Sequence, residues 1–186
     1  MVASTAMFSG CWVSSVHGLD EDTLFRPDPD ITFDDSLNGT WHVTKDNCTT
    51  TLTVSGSNRT YDLELISQGD KCNDADNKAH YLAKFVKLDN RFFFDVYPMP
   101  SDVCDMCLAL HWTFLVKFDK NTLTVTPIDS EWLKQASAQK TLTLTTLPDD
   151  AETITSSPKD LKAFCRKYAD SDEVFKPDAS LRFNRK

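Results

Sequence analysis

From Leu37 onward the chain consists of short runs in which apolar and polar residues alternate, each bounded by turn-forming residues. Trp41 and Val43 begin this pattern, and residues 52–54 and 61–65 continue it. A period of two places successive side chains on opposite faces of a strand, as in a half-buried β-strand. No other feature of the sequence constrains the fold as much, because the pattern predicts a mostly β domain.

Longer hairpins follow in the middle of the chain. The first pairs residues 80–88 with residues 91–97, and the second pairs residues 110–118 with residues 123–125. A last strand is predicted at residues 180–183. Consecutive hairpins are typical of an antiparallel meander that closes into a barrel or stacks as a sandwich.

Two helices are predicted beside these strands. A short one lies near residues 130–138, and a C-terminal one lies near residues 158–169. For the second helix, Ser157 can cap the N-terminus, Pro158 suits the first helical position and Asp160 completes a capping box. Apolar residues at helical spacing then predict that this helix packs on the sheet. They are Leu161, Phe164, Cys165 and Tyr168.

The charge balance argues against one class of partner. The 186 residues include 28 acidic and 20 basic side chains, for a net charge of -8. A surface that follows nucleic-acid phosphates needs an excess of basic residues. We therefore expect no nucleic-acid partner. The length fits a single core, so residues 37–186 are predicted to form one domain.

Six cysteines indicate an oxidising compartment, such as a periplasm or a cell surface. Cys48 and Cys72 flank a predicted hairpin, and a loop that folds back can bring them together. Cys104 and Cys107 form a close C-x-x-C pair. We predict the disulfides Cys48–Cys72 and Cys104–Cys107, which leave Cys165 on a helix.

The C-x-x-C pair also permits a metal or redox site. Cys104, Cys107 and His111 could supply three zinc ligands, but a second C-x-x-C that would complete a structural zinc site is missing from the sequence. The fourth ligand could come from His80, Asp102 or Asp105. A redox dithiol of the thioredoxin type needs a βαβ setting that the pattern lacks. We favour the disulfide and predict no metal and no cofactor.

The first residues are typical of a lipoprotein-processing site. Phe8, Ser9 and Gly10 place one apolar and two small residues directly before Cys11, whose thiol would carry the lipid. No segment reaches the 18 apolar residues of a membrane span, so the anchor would be a lipid. We interpret residues 1–10 as a truncated signal remnant. Residues 11–36, which are acidic and aperiodic, are interpreted as a flexible tether.

Short motifs follow one another over nearly the whole chain: Gly10-Cys11, Val13 to His17, Leu37 to Trp41, Phe92 to Pro98, His111 to Phe114, Asp129 to Leu133 and Lys167 to Asp170. Their order resembles a family of uncharacterised bacterial lipoproteins. The resemblance implies a lipocalin-like β-barrel anchored in a bacterial cell envelope, with the domain in the periplasm or at the cell surface. Gly39-Thr40-Trp41 likewise resembles the opening of lipocalin-type barrels, in which the tryptophan plugs one end.

These observations lead to a non-enzymatic function, because no catalytic motif occurs. We expect the barrel to bind a small apolar or amphipathic ligand lined by Trp41, Phe94, His111 and Trp112. The alternative is an envelope structural or protein-interaction domain with a filled barrel and no particular partner indicated. A simpler role for His111 is a hydrogen bond to Asp95 of the neighbouring strand. Residues 92–94 are expected to be core on both faces of their strand.

Overall fold

The computed structural model describes residues 12–22, 26–70, 72, 78–99 and 108–186. Twelve strands and two α-helices lie in this part of the chain. In chain order they are β1 (Ser14–Ser15), β2 (Ile31–Thr32), β3 (Gly39–Lys45), β4 (Cys48–Ser57), β5 (Thr60–Gln68), β6 (Lys78–Leu88), β7 (Arg91–Pro98), β8 (His111–Phe118), β9 (Thr122–Pro127), α1 (Ser130–Ala138), β10 (Thr146–Leu147), β11 (Asp150–Ile154), α2 (Pro158–Tyr168) and β12 (Leu181–Arg185). No helix among the described residues is long and apolar enough to cross a membrane.

Eight of the described strands close into an antiparallel barrel. Strands β3 to β9 pair with one another in chain order, and β12 pairs with both β9 and β3. The barrel is therefore a meander whose last strand follows an insertion containing both helices. The predicted mostly β fold with a lipocalin-like barrel is confirmed.

Tight turns set the pairing of the barrel hairpins. Asp46 and Asn47 join β3 to β4, Asn58 joins β4 to β5 and Asp89 joins β6 to β7. All four residues have a positive φ, between 52° and 62°. Asn and Asp adopt this left-handed conformation more readily than most residues, and the twist of such turns matches that of the strands.

The alternation in the sequence corresponds to the inside and outside of the barrel. Along β4, for example, buried residues occur at every second position from Cys48 to Val54. The inward residues of all barrel strands form one cluster with Leu37. Its buried strand members are Trp41, Leu52, Val54, Tyr61, Leu63, Leu65, Ala83, Phe85, Phe94, Val96, Phe114, Val116, Leu123 and Phe183.

A second apolar cluster covers the outer face of β6 to β8. Phe93 points out of the barrel and packs on Phe175, with 6.0 Å between ring centroids, while Phe94 points inward. Leu133 of α1 and Phe164 of α2 belong to the same outer cluster. The predictions of two helices and of core on both faces of β7 are confirmed.

The segment interpreted as a flexible tether packs onto the barrel wherever it is described. Strand β1 lies between β8 and β11, β2 pairs with β6, and Leu19 is fully buried. The tether interpretation is wrong for residues 12–22 and 26–36. Its acidic residues pair with cations from distant parts of the chain, such as Lys84 and Lys162, and local sequence does not show such pairs.

Candidate functional site

Trp41 lies in the barrel interior. Its side chain is fully buried, and its Nε1–H donates to the Leu37 carbonyl at 3.0 Å. The Arg185 guanidinium lies over the indole, 4.0 Å from the ring centroid, and donates to the carbonyls of Asn38 and Lys120. Trp41 is therefore held in the barrel interior near the start of β3, where Leu37 and Arg185 cover it.

Tyr61 belongs to the same interior cluster. Its hydroxyl donates to the Asp34 carbonyl at 3.1 Å and accepts the Asp34 N–H at 2.7 Å. Its ring stacks on Phe33, with 5.0 Å between centroids. Burial raises the pKa of Tyr61 to about 12. The phenol is therefore neutral at physiological pH and acts as a structural hydrogen-bonding group.

A small cavity lies inside the barrel. Its volume is about 40 Å³, whereas ligand pockets usually measure about 300–1,000 Å³. Among the described residues its lining is aliphatic or aromatic throughout: Trp12, Leu52, Leu63, Leu65, Phe94, Val96, Phe114, Val125, Leu181 and Phe183. A polar group buried against such a lining would lose its hydrogen bonds to water, so the cavity favours apolar groups.

Trp12 reaches this cavity from the N-terminal segment. Strand β8 pairs with β9 as far as Phe114 and Pro127, and with β1 at Trp112 and His111. Trp12 precedes β1 by two residues, and its ring meets that of Phe114 edge-on at 5.0 Å. The half-buried indole thus lies where β8 changes its pairing partner. Trp12 has no signal in the sequence, because it lies in a segment without periodicity.

The residues predicted to line the ligand site separate into three places. Phe94 lines the cavity. Trp41 and Trp112 belong to the same interior cluster without lining the cavity, and Trp112 packs on Tyr81 at 5.8 Å. The prediction that His111 lines it is wrong. Alternation along β8 turns Trp112 inward, and therefore turns His111 to the outer face.

His111 and Asp95 form a hydrogen-bonded pair on that outer face. His111 Nδ1 lies 2.8 Å from Asp95 Oδ1, which confirms the simpler expectation for this histidine. Asp95 is fully buried, and its Oδ2 accepts the Leu19 N–H at 2.9 Å. Gly18 packs so closely that a Cβ there would lie 2.1 Å from Asp95 Oδ2. The pair therefore anchors the N-terminal segment to the barrel.

Ser15 lies opposite His111 in the β1–β8 pairing, which brings together the residue types of a serine nucleophile and its base. Ser15 is buried, however, and its Oγ has no hydrogen-bond partner among the described residues. A nucleophile is activated by a base within hydrogen-bonding reach. The arrangement as it stands holds two strands together and presents no activated hydroxyl.

The predicted Cys48–Cys72 disulfide is confirmed. Thr49 pairs with Gln68 at the end of the β4–β5 hairpin, and Gly69 then turns the chain with a φ of 142°. This turn returns Cys72 to the start of β4. The sequence signal for this pairing is that the two cysteines flank the predicted hairpin, so a loop that folds back brings them together.

Of the four remaining cysteines, Cys165 lies among the residues that the structure describes. Cys165 of α2 is buried, and burial raises the pKa of its thiol well above the ordinary value, so the thiol is unreactive. Cys11, Cys104 and Cys107 lie outside the described residues, as do Asp102 and Asp105. The second disulfide and the zinc and redox alternatives stay predictions. Within the described ranges, no group of three or more His, Cys, Asp or Glu side chains could hold a metal ion.

Comparisons of the chain with protein-family models, with curated proteins and with solved structures find no match. The barrel and its cavity therefore carry the functional inference.

Proposed function

We propose that this protein is a non-enzymatic, lipocalin-like module of a bacterial cell envelope that binds a small apolar ligand inside its barrel. The observation that carries this proposal is the apolar cavity within a closed barrel. Transfer of apolar surface from water into such a cavity gains about 25 cal/mol per Å². Apart from the indole N–H of Trp12, the described lining residues carry no polar side-chain group, so the ligand is apolar or has an apolar part.

We propose further that a lipid on Cys11 holds the domain at a membrane. Ser9 and Gly10 supply the small residues that processing requires before Cys11. Trp12 follows at once and packs into the barrel, and consecutive Cα atoms are about 3.8 Å apart. A lipid on Cys11 would therefore hold the barrel directly at the membrane surface, without an intervening tether.

Mass spectrometry of the protein from bacterial membranes tests the anchor. We expect residues 1–10 to be absent and the new N-terminal Cys11 to carry a diacylglycerol. A Cys11→Ser variant should lose both the lipid and the membrane association. Retention of Met1 together with an unmodified Cys11 would contradict the anchor and leave the binding proposal standing.

Titration with N-phenyl-1-naphthylamine, an uncharged dye that fluoresces in apolar surroundings, tests the binding. Val96→Phe should fill the cavity and abolish the fluorescence increase, because Val96 is buried and lines it. Lys117→Phe is the matched control, since it adds the same ring at an exposed position of β8. Equal fluorescence from the wild type and Val96→Phe would contradict binding in the barrel.

The second candidate is an envelope structural or protein-interaction domain whose barrel is filled by its own side chains. The observation that favours it is the cavity volume of about 40 Å³, well below that of a usual ligand pocket. If this candidate is correct, the wild-type protein should not bind the dye. The same titration therefore distinguishes a ligand-binding barrel from a filled one.

A further inference from the structure

Trp12 differs from the other described residues that line the cavity. Nine of the ten belong to barrel strands, whose backbones are hydrogen-bonded to neighbouring strands. Trp12 precedes β1 and contributes its ring from the N-terminal segment. Movement of the backbone at Trp12 would therefore leave every barrel strand paired, whereas movement of the backbone at any of the other nine would not.

We propose that the Trp12 indole occupies the place of the ligand, and that the ligand is the hydrocarbon chain of a single-chain amphiphile that enters by displacing this ring. This inference rests on the proposed binding function. With the indole in place, the free volume of about 40 Å³ accommodates only a few water-sized groups, each of which needs about 10–15 Å³, and no ligand of ordinary size. Departure of the indole adds the volume of one large aromatic side chain to it.

The lining indicates the chemical class of the ligand. The nine strand residues are Leu, Val and Phe, which offer no hydrogen-bonding side-chain group, so the buried part of the ligand must be pure hydrocarbon. A polar head must then stay in water beside the vacated position of Trp12. Departure of the single Trp12 indole leaves room for a single hydrocarbon chain, which favours a free fatty acid over a diacyl lipid.

Displacement has a measurable consequence for affinity. When only a fraction of the molecules is open, the apparent dissociation constant equals the intrinsic constant divided by that fraction. Removal of the indole opens every molecule. We therefore expect Trp12→Ala to bind decanoic acid at least about tenfold more tightly than the wild type, and Trp12→Leu to fall between them.

Calorimetric titration of decanoic acid into four proteins tests this expectation. They are the wild type, Trp12→Ala, Trp12→Leu and Trp132→Ala. Trp132 is the matched control, because it is also half-buried but packs on Phe164 and Tyr168 in the outer cluster, at 6.1 and 5.1 Å. Its truncation should leave the affinity unchanged. Thermal unfolding establishes that each variant is folded, and Trp12→Leu serves if Trp12→Ala is not.

The outcomes separate the two proposals. Equal affinity of the wild type and both Trp12 variants for decanoic acid would overturn the displacement of Trp12 and leave the proposed function standing. The same holds if Trp132→Ala gains as much affinity as Trp12→Ala. No binding by any of the four proteins would overturn both this inference and the proposed function. Binding of dioleoyl phosphatidylcholine vesicles in place of decanoic acid would overturn the single-chain assignment.

Discussion

Single residues hold the N-terminal segment on the barrel. Asp95 is fully buried and accepts hydrogen bonds from both the Leu19 N–H and the His111 ring. A buried carboxylate needs such partners, because an unpaired charge in the interior is costly. Gly18 permits this contact, since any larger residue would meet Asp95 and His111. A glycine in an aperiodic segment thus has a packing role that its neighbours in sequence do not indicate.

Gly18→Ala is expected to destabilise the fold by about 1–3 kcal/mol, the usual cost of overpacking a buried site. The added Cβ would lie 2.1 Å from Asp95 Oδ2 and 2.7 Å from His111 Nδ1, so the pair must move. Urea unfolding measures the loss. His17→Ala, at the exposed neighbouring position, should change stability by less than about 0.5 kcal/mol. Equal stabilities of the two variants would contradict this role for Gly18.

At the scale of elements, an ion cluster joins the N-terminal segment to α2. Lys162 Nζ lies 2.6 Å from Asp28 Oδ2 and 2.8 Å from Asp30 Oδ2, and Arg166 adds a contact to Asp30 at 3.2 Å. Burial alone would raise the pKa of Asp28, but hydrogen bonds from Lys162 and from the N–H groups of Glu21 and Asp30 outweigh it and lower the pKa. Burial would lower the pKa of Lys162, and its two carboxylate partners raise it instead.

These directions determine how the stability depends on pH. Because the pKa of Asp28 is lowered in the folded state, its carboxylate stabilises the fold at pH values above 3.8, its ordinary pKa. This contribution is lost as the pH falls through the folded-state pKa. Because the pKa of Lys162 is raised in the folded state, its ammonium group stabilises the fold at pH values below 10.5, its ordinary pKa. This contribution is lost as the pH rises through the folded-state pKa. The cluster is therefore fully stabilising between these two ordinary values.

Lys162→Met tests the cluster. At neutral pH we expect a loss of about 3–5 kcal/mol, because Asp28 stays buried without its cation. In acid below the folded-state pKa of Asp28, the wild type loses the same contribution, so the difference in unfolding free energy should shrink. Lys159→Met places the same change at an exposed position of α2 and should cost little at either pH. A difference that is independent of pH would contradict the assignment.

At the scale of the whole molecule, closure of the barrel depends on pairings between distant segments. Strand β12 pairs with β3 near the start of the domain and with β9 before the helices. The Cys48–Cys72 disulfide adds a covalent constraint across 24 residues at the end of one hairpin. It restricts the unfolded chain more than the folded one, which the barrel pairings already hold.

The double variant Cys48→Ala/Cys72→Ala is expected to keep the barrel and lose about 3 kcal/mol of stability, as loop-closure entropy predicts for a loop of this length. Circular dichroism measures the strand content and urea unfolding the stability. Reduction of the wild type should give a similar loss, whereas reduction of the variant should change the stability much less. A variant as stable as the oxidised wild type would contradict the entropic contribution.

Local physical chemistry explains which features could be predicted. The β4–β5 hairpin, the helix cap at Ser157 and the Cys48–Cys72 pairing depend on residues close in sequence, so period, capping and turn symmetry suffice to locate them. His111 illustrates the difference between what local sequence can predict and what it cannot. Its partner Asp95 followed from strand adjacency, whereas its position outside the barrel required knowledge of which face is inward.

The sequence by itself determined the mostly β meander and both helices, because alternation, turn residues and caps act over a few residues. Only the tertiary structure decided where the N-terminal segment lies and how much of the barrel interior is empty. Those features depend on Asp28 meeting Lys162 and on Trp12 meeting Phe114, which are more than 100 residues apart in the chain. Contacts of that kind arise from the closed barrel and have no local signature.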